Sequence, residues 1–187
     1  MEPKSNIYSG TLQISESMAD RIFEVAMSRT KDKTDLPHSP QRLFQDNYAG
    51  ICAEVATRLL LELDPEPALE RFSGGDEGWD IETPNGTVQV KGRHQDQNGS
   101  DLLIPERQWP PSCDYYVVWR NNTPYHLKFL GWADKVQVVE YAYFYKALGK
   151  AGNTPCRIIQ RRNLITDPRS FKQEVMQERK KVPDLPF

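Results

Sequence analysis

An α/β or α+β domain, with a central sheet flanked by helices, is the fold class this sequence predicts, and three observations carry it. Helical periodicity fills the first third of the chain, short alternating runs bounded by Gly, Pro, Asn and Asp fill the middle, and a capped helical segment lies near the C-terminus. The 187 residues, 38% hydrophobic and 27% charged, suit one domain with a sizeable core and are too apolar for a disordered chain. The expected organisation is a single unit over residues 1–187, with N-terminal helices over 1–64, a sheet core over 70–132 and a helical, basic extension over 133–187.

The first helix starts at Ser15 or Ser17 and runs to about Arg29, with Met18, Ile22, Val25 and Ala26 on one stripe and a serine as N-cap. The polar stretch Lys31–His38 reads as a loop. Ser39-Pro40, an N-cap followed by proline at the first helical position, opens a second helix that carries Leu43, Phe44, Tyr48, Ile51, Cys52, Val55, Leu59 and Leu63. It ends before Asp64-Pro65-Glu66-Pro67, or breaks in two near Asn47. Gly50 inside it costs roughly 1 kcal/mol against alanine unless something packs closely there.

Beyond Phe72 the pattern changes to strands and turns. Gly74–Gly78 is a loop, and strands are expected over Trp79–Thr83, Thr87–Gly92, Leu102–Ile104, Asp114–Arg120 and Tyr125–Leu130. Tyr115, Val117 and Trp119 alternate with Tyr116, Val118 and Arg120, so apolar residues fall on both faces, as in a buried central strand. Gly131-Trp132-Ala133-Asp134 is expected to turn the chain out of the sheet. The aromatic segment Glu140–Leu148 fits either strand or helix. Asp167-Pro168 caps a last helix over Arg169–Lys181, followed by a tail over Val182–Phe187.

Several function classes are disfavoured at once. No run approaches the ~20 apolar residues of a membrane span, and the first residues, Met-Glu-Pro-Lys-Ser, lack a secretory pattern, so a cytoplasmic protein without a membrane partner is expected. Cys52, Cys113 and Cys156 are odd in number and widely spaced, which supports neither a disulfide framework nor a zinc site. The net charge of -2 is unevenly spread. Residues 51–100 hold four basic against ten acidic side chains, a balance of -6, and residues 101–187 hold fourteen against nine, a balance of +5. Such a division suits a metal site beside a polyanion-binding surface, and it equally suits an ordinary mixed surface.

The stretch from Trp79 to Gly92 is the most informative. With Asn85-Gly86 as the two turn residues of a hairpin, Pro84 pairs with Thr87, Glu82 with Gln89, Ile81 with Val90 and Asp80 with Lys91. Alternation then places Asp80, Glu82, Gln89 and Lys91 on one face and Ile81, Val88 and Val90 on the other. The Asp80 carboxylate and the Gln89 carbonyl could offer oxygen ligands to a hard divalent cation, with Lys91 beside them to stabilise charge on a phosphate. An exposed hairpin face with a cross-strand Asp–Lys pair would look the same in sequence.

Asp80, followed after eight residues by Gln89-Val90-Lys91, resembles the active-site hairpin of the PD-(D/E)xK nuclease superfamily. The nearest variant is the QxK motif of Mrr-type restriction endonuclease catalytic domains. There a Gly-Asp-x-Gly-x-Asp loop enters the metal-binding strand, as Gly75-Asp76-Glu77-Gly78-Trp79-Asp80 does here. A glutamate on the preceding helix is matched by Glu54 in Gly50-Ile51-Cys52-Ala53-Glu54, and the likeness spans residues 45–130. The resemblance implies a restriction-endonuclease-like central mixed sheet flanked by helices, and Mg²⁺-dependent hydrolysis of DNA phosphodiester bonds in restriction or DNA processing, with Mn²⁺ able to substitute. It implies Asp80 and Gln89 as metal ligands, Glu54 as an accessory acid acting directly or through water, and Lys91 as the catalytic lysine.

Gln89 departs from the charged ligand common in that superfamily, and Glu54, Asp76 and Glu82 are the acids able to compensate. The neutral ligand also motivates a second expectation, a catalytically silent nucleic-acid-binding or assembly module of the same fold; a nuclease directed at RNA is a third. DNA is the expected partner, joined by a second copy of the chain or by a partner protein for target recognition. Arg93 and His94 follow the lysine, and Arg157, Arg161, Arg162, Arg169, Lys172 and Arg179–Lys181 are further candidates for phosphate contact or for a solvated basic face. Trp109 either stacks on a base or covers the core, and Tyr141, Tyr143, Phe144 and Tyr145 form either a stacking platform or a packing surface.

Overall fold

A computed structural model describes residues 10–31, 39–70, 78–94, 101–145 and 155–177. In chain order these form β1 (Thr11–Gln13), α1 (Glu16–Lys31), α2 (Pro40–Leu60), α3 (Glu66–Leu69), β2 (Ile81–Thr83), β3 (Gly86–Arg93) and β4 (Leu102–Pro105). After a 3-10 turn over Glu106–Gln108 come β5 (Tyr115–Thr123), β6 (His126–Asp134), α4 (Lys135–Tyr141), β7 (Tyr143–Tyr145) and β8 (Cys156–Ile159). A second 3-10 turn, Arg161–Asn163, leads to α5 (Pro168–Met176).

The strands make a mixed sheet of five and an antiparallel sheet of three. The larger has the order β1-β6-β5-β3-β2, in which only β3 and β5 run parallel, and the smaller has the order β4-β8-β7. β5 lies at the centre, and its alternation divides the core. Tyr115, Val117 and Trp119 join a cluster with residues of α1, α2 and α5, such as Ile22, Val55 and Phe171. Tyr116 and Val118 join a second cluster with Leu102, Ile104 and Ile159 of the smaller sheet and Val138 of α4. Helices thus cover one face of the large sheet, and the small sheet with α4 covers the other.

Local chemistry explains the helix boundaries. Ser15 Oγ accepts from the Met18 amide at 3.2 Å and Ser39 Oγ from the Arg42 amide at 3.2 Å, each filling an otherwise orphaned donor. α2 runs unbroken past Asn47 and Gly50, so the two-helix alternative is not realised. The close packing that would justify a glycine is found at Gly92 and not around the Cβ position of Gly50. A Cβ on Gly92 would run into the Ala49 carbonyl and stand 2.7 Å from the Gly50 nitrogen, whereas a Cβ on Gly50 would meet nothing within 4 Å. β3 therefore lies directly against the α2 backbone.

Other expectations require correction. β1 and β8 were not anticipated, and the strand at Leu102 joins the small sheet instead of the central one. The chain does not leave the sheet at Gly131–Asp134. β6 continues to Asp134, and Trp132 exchanges two backbone hydrogen bonds of 2.9 Å with Ile165. Gly131 adopts φ 147° there, and a Cβ on it would stand 2.7 Å from Leu164 Cβ. Asp134 then caps α4, accepting from the Gln137 amide at 2.8 Å while Gln137 Oε1 accepts from the Asp134 amide at 3.1 Å. The segment over Glu140–Leu148 is helix to Tyr141 and strand from Tyr143 to Tyr145; Lys146–Leu148 lie outside the described residues. The last helix begins as expected, with Asp167 Oδ1 accepting from the Arg169 amide at 3.0 Å, but ends at Met176. The loops expected over 32–38 and 74–77 and the tail over 182–187 also lie outside the described residues. No described helix is long and apolar enough to cross a membrane.

Candidate functional site at the hairpin

The hairpin forms, in a register two residues away from the expected one. Ile81 pairs with Val88, Glu82 with Thr87 and Thr83 with Gly86, so Pro84 and Asn85 are the turn residues. Three neighbours fix this register. Asn85 is buried, with Nδ2 donating to Tyr115 Oη at 2.7 Å and to the Glu174 carbonyl at 2.8 Å. Gly86 takes φ 134°, and the Asp114 carboxylate occupies the space that a Cβ would need. Asp114 Oδ2 in turn accepts from the Thr87 amide at 2.9 Å and from Thr87 Oγ1 at 3.1 Å.

An even shift preserves the alternation of faces. Ile81, Val88 and Val90 enter the helix-side cluster as expected, and Gln89 and Lys91 project to the opposite side. Asp80 hydrogen-bonds to Gln89. Its Oδ2 accepts from Gln89 Nε2 at 2.8 Å and from the Val90 amide at 2.6 Å. The Asp80 carboxylate thereby takes up the Val90 N–H just before β2 begins, as a cap on the sheet edge. The polar face is also only partly open to solvent, because Gln89 is buried and Asp80 and Lys91 half-buried. Cys113 Sγ approaches Gln89 Oε1 at 3.9 Å and donates to the Gly78 carbonyl at 2.9 Å, and Lys91 Nζ donates to Gln108 Oε1 at 3.4 Å.

Glu54 approaches from α2, on the helix side of the sheet. Burial raises its pKa above the ordinary carboxylate value, and the negative charge of Asp80 raises it further, against the pull of Arg58. Arg58 Nε lies 3.5 Å from Glu54 Oε1, and its Nη2 donates to the Asp80 carbonyl at 3.3 Å. The structure thus brings Glu54, Asp80, Gln89 and Lys91 to one corner of the sheet. Arg58, Gln108 and Cys113 are the residues that sequence reasoning missed; only Arg58, four residues after Glu54 on a helix, carried a local signal. Burial and the neighbouring Asp80 raise the Cys113 pKa, which keeps it a thiol donor.

The remaining candidates separate. Glu82 is exposed and Asp76 lies outside the described residues. Arg93 is half-buried, donating from Nη2 to the Asp101 carbonyl at 2.9 Å, so its charge supports the connection to β4. Arg161 and Arg162 are exposed on the 3-10 turn after β8. Trp109 packs on the second cluster, and the Arg157 guanidinium carbon lies 4.3 Å from its ring centre. Two carboxylates and an amide have the oxygen chemistry of a hard-cation site. As folded they do not fit one, since Gln89 turns its NH₂ group to Asp80 and Glu54 is paired with Arg58. Among the described residues, no group of three or more His, Cys, Asp or Glu side chains is placed to hold a metal. Compared with family models, curated proteins and solved structures, the chain matches none of them.

Proposed function

We propose that this chain is a catalytically silent nucleic-acid-binding module on a restriction-endonuclease-like sheet, whose hairpin corner is closed by its own hydrogen bonds. The observation that carries this reading is the double engagement of Asp80 Oδ2 by Gln89 Nε2 at 2.8 Å and the Val90 amide at 2.6 Å. An acid bound in this way serves the sheet edge, and the neutral Gln89 is its donor. Nucleic acid is supported as the partner class by the arginines at the ends of the small sheet. Arg107 and Arg157 flank one end and the exposed Arg161 and Arg162 the other, where guanidinium groups suit phosphate contact.

A second reading, a metal-dependent deoxyribonuclease, is favoured by one observation: Asp80 stands near enough to Glu54 for its charge to raise the Glu54 pKa. Supercoiled plasmid incubated with Mg²⁺ or Mn²⁺, against an EDTA control, separates the two. The silent module retards the plasmid and leaves it supercoiled under every condition. Metal-dependent nicking that disappears in Asp80→Ala and Lys91→Ala would replace that reading with the nuclease.

A further inference from the structure

Phe144 and Arg157 sit side by side on the small sheet, paired across β7 and β8. The Arg157 guanidinium carbon lies 4.3 Å from the Trp109 ring centre and 5.9 Å from that of Phe144, so the cation bridges two aromatic rings. Glu106 Oε2, 3.3 Å from Arg157 Nε, holds it in place. Trp109 is half-covered by the second cluster, whereas Phe144 keeps 51% of its surface in solvent and its neighbours Tyr143 and Tyr145 keep 43% and 47%. Along β7 the side chains alternate, so Phe144 is exposed on the face that carries Arg157, and Tyr143 and Tyr145 on the opposite one.

This cluster is continuous with the hairpin corner. Lys91 Nζ donates to Gln108 Oε1 at 3.4 Å, Gln108 precedes Trp109, and Trp109 carries Arg157 against Phe144. Lys91 is thus joined to this cluster through the turn that carries Gln108 and precedes Trp109. Phosphates require cations at intervals, and bases require ring faces, but only unpaired bases can leave their stack to reach a ring. The exposed Arg107, beside Gln108, adds a second guanidinium at the same end of the small sheet as Arg157.

We infer that Phe144, Arg157 and Trp109 form a stacking platform for an unpaired segment of nucleic acid that continues toward Lys91. The inference rests on the nucleic-acid-binding reading and adds the substrate form: a single strand, with a base on Phe144 and its phosphates near Arg157 and Lys91.

The test is fluorescence anisotropy with labelled oligodeoxythymidylate and with a labelled duplex, using the full chain in EDTA so that cleavage does not intervene. The single strand is expected to bind more tightly than the duplex. Phe144→Leu, which keeps apolar bulk at an exposed position but removes the ring, weakens single-strand binding about tenfold and leaves duplex binding unchanged. Phe144→Tyr restores it, and Arg157→Met weakens it. Equal affinity for both oligonucleotides with no effect of Phe144→Leu overturns the platform and leaves the nucleic-acid reading standing. Absence of binding to either oligonucleotide overturns both. A chain that is dimeric by size-exclusion chromatography, made monomeric by Phe144→Asp with unchanged oligonucleotide binding, assigns the aromatic face to a second copy and overturns the platform.

Discussion

Arg58 holds two acids in one corner that would otherwise repel. It lies 3.5 Å from Glu54 Oε1 and donates to the Asp80 carbonyl, and the paired side chains retain only 15% and 17% of their surface in solvent. Arg58→Met removes the cation and leaves Glu54 buried beside Asp80, at an expected cost of about 2 kcal/mol at pH 7 in urea unfolding. The sign of the pH dependence follows from Glu54. Its folded-state pKa is raised, by burial first and by Asp80 second, so the protonated acid favours the folded state and that contribution is lost as pH rises through the raised value. Glu54→Gln is therefore expected to raise the urea midpoint at pH 7, with the gain vanishing below the ordinary carboxylate pKa of 4.5. The loss in Arg58→Met shrinks over the same range. A deficit in Arg58→Met that is unchanged at acid pH would contradict this view of the corner.

At the level of elements, the contact between β3 and α2 sets where the hairpin lies. Gly92 admits no side chain because the Ala49 carbonyl occupies its Cβ position, and Gly92→Ala is expected to destabilise by about 3 kcal/mol or more. Gly50 has open space around its Cβ position, so Gly50→Ala is expected to stabilise by up to about 1 kcal/mol. Chemical denaturation of the two variants checks both signs. The opposite roles of these glycines could not be read from the sequence, which leaves open whether anything packs closely at Gly50. The caps of α1, α2 and α5 were legible because Ser15, Ser39 and Asp167 act on amides two or three residues away. The two faces of the hairpin were legible because a two-residue shift of register leaves a period of two intact. The register itself was not, because Asp114, Tyr115 and Glu174 fix it from distant parts of the chain. The burial of Gln89 and its neighbour Cys113 was hidden for the same reason: the small sheet that helps to cover that face includes β8, which carries a weak strand signal.

Across the whole molecule, the central sheet separates two chemistries. One face carries α1, α2 and α5 over a large apolar cluster, and the other carries the small sheet, with Gln89 and Lys91 of β3 projecting to that same side. The polar hairpin face that would read as an open site in sequence is thus partly closed, with Gln89 buried and Asp80 and Lys91 half-buried, and Lys91 is linked through Gln108 to the turn that precedes Trp109. On this account, recognition occurs at the surface of the small sheet while Asp80 and Gln89 maintain the sheet beneath it. The most direct test mixes labelled single-stranded DNA with the protein in Mg²⁺ and divides each sample between a native and a denaturing gel. The account predicts a retarded band on the native gel and full-length DNA on the denaturing one, with the same result in EDTA. DNA shortened in Mg²⁺ but intact in EDTA, or DNA that is never retarded, would contradict it.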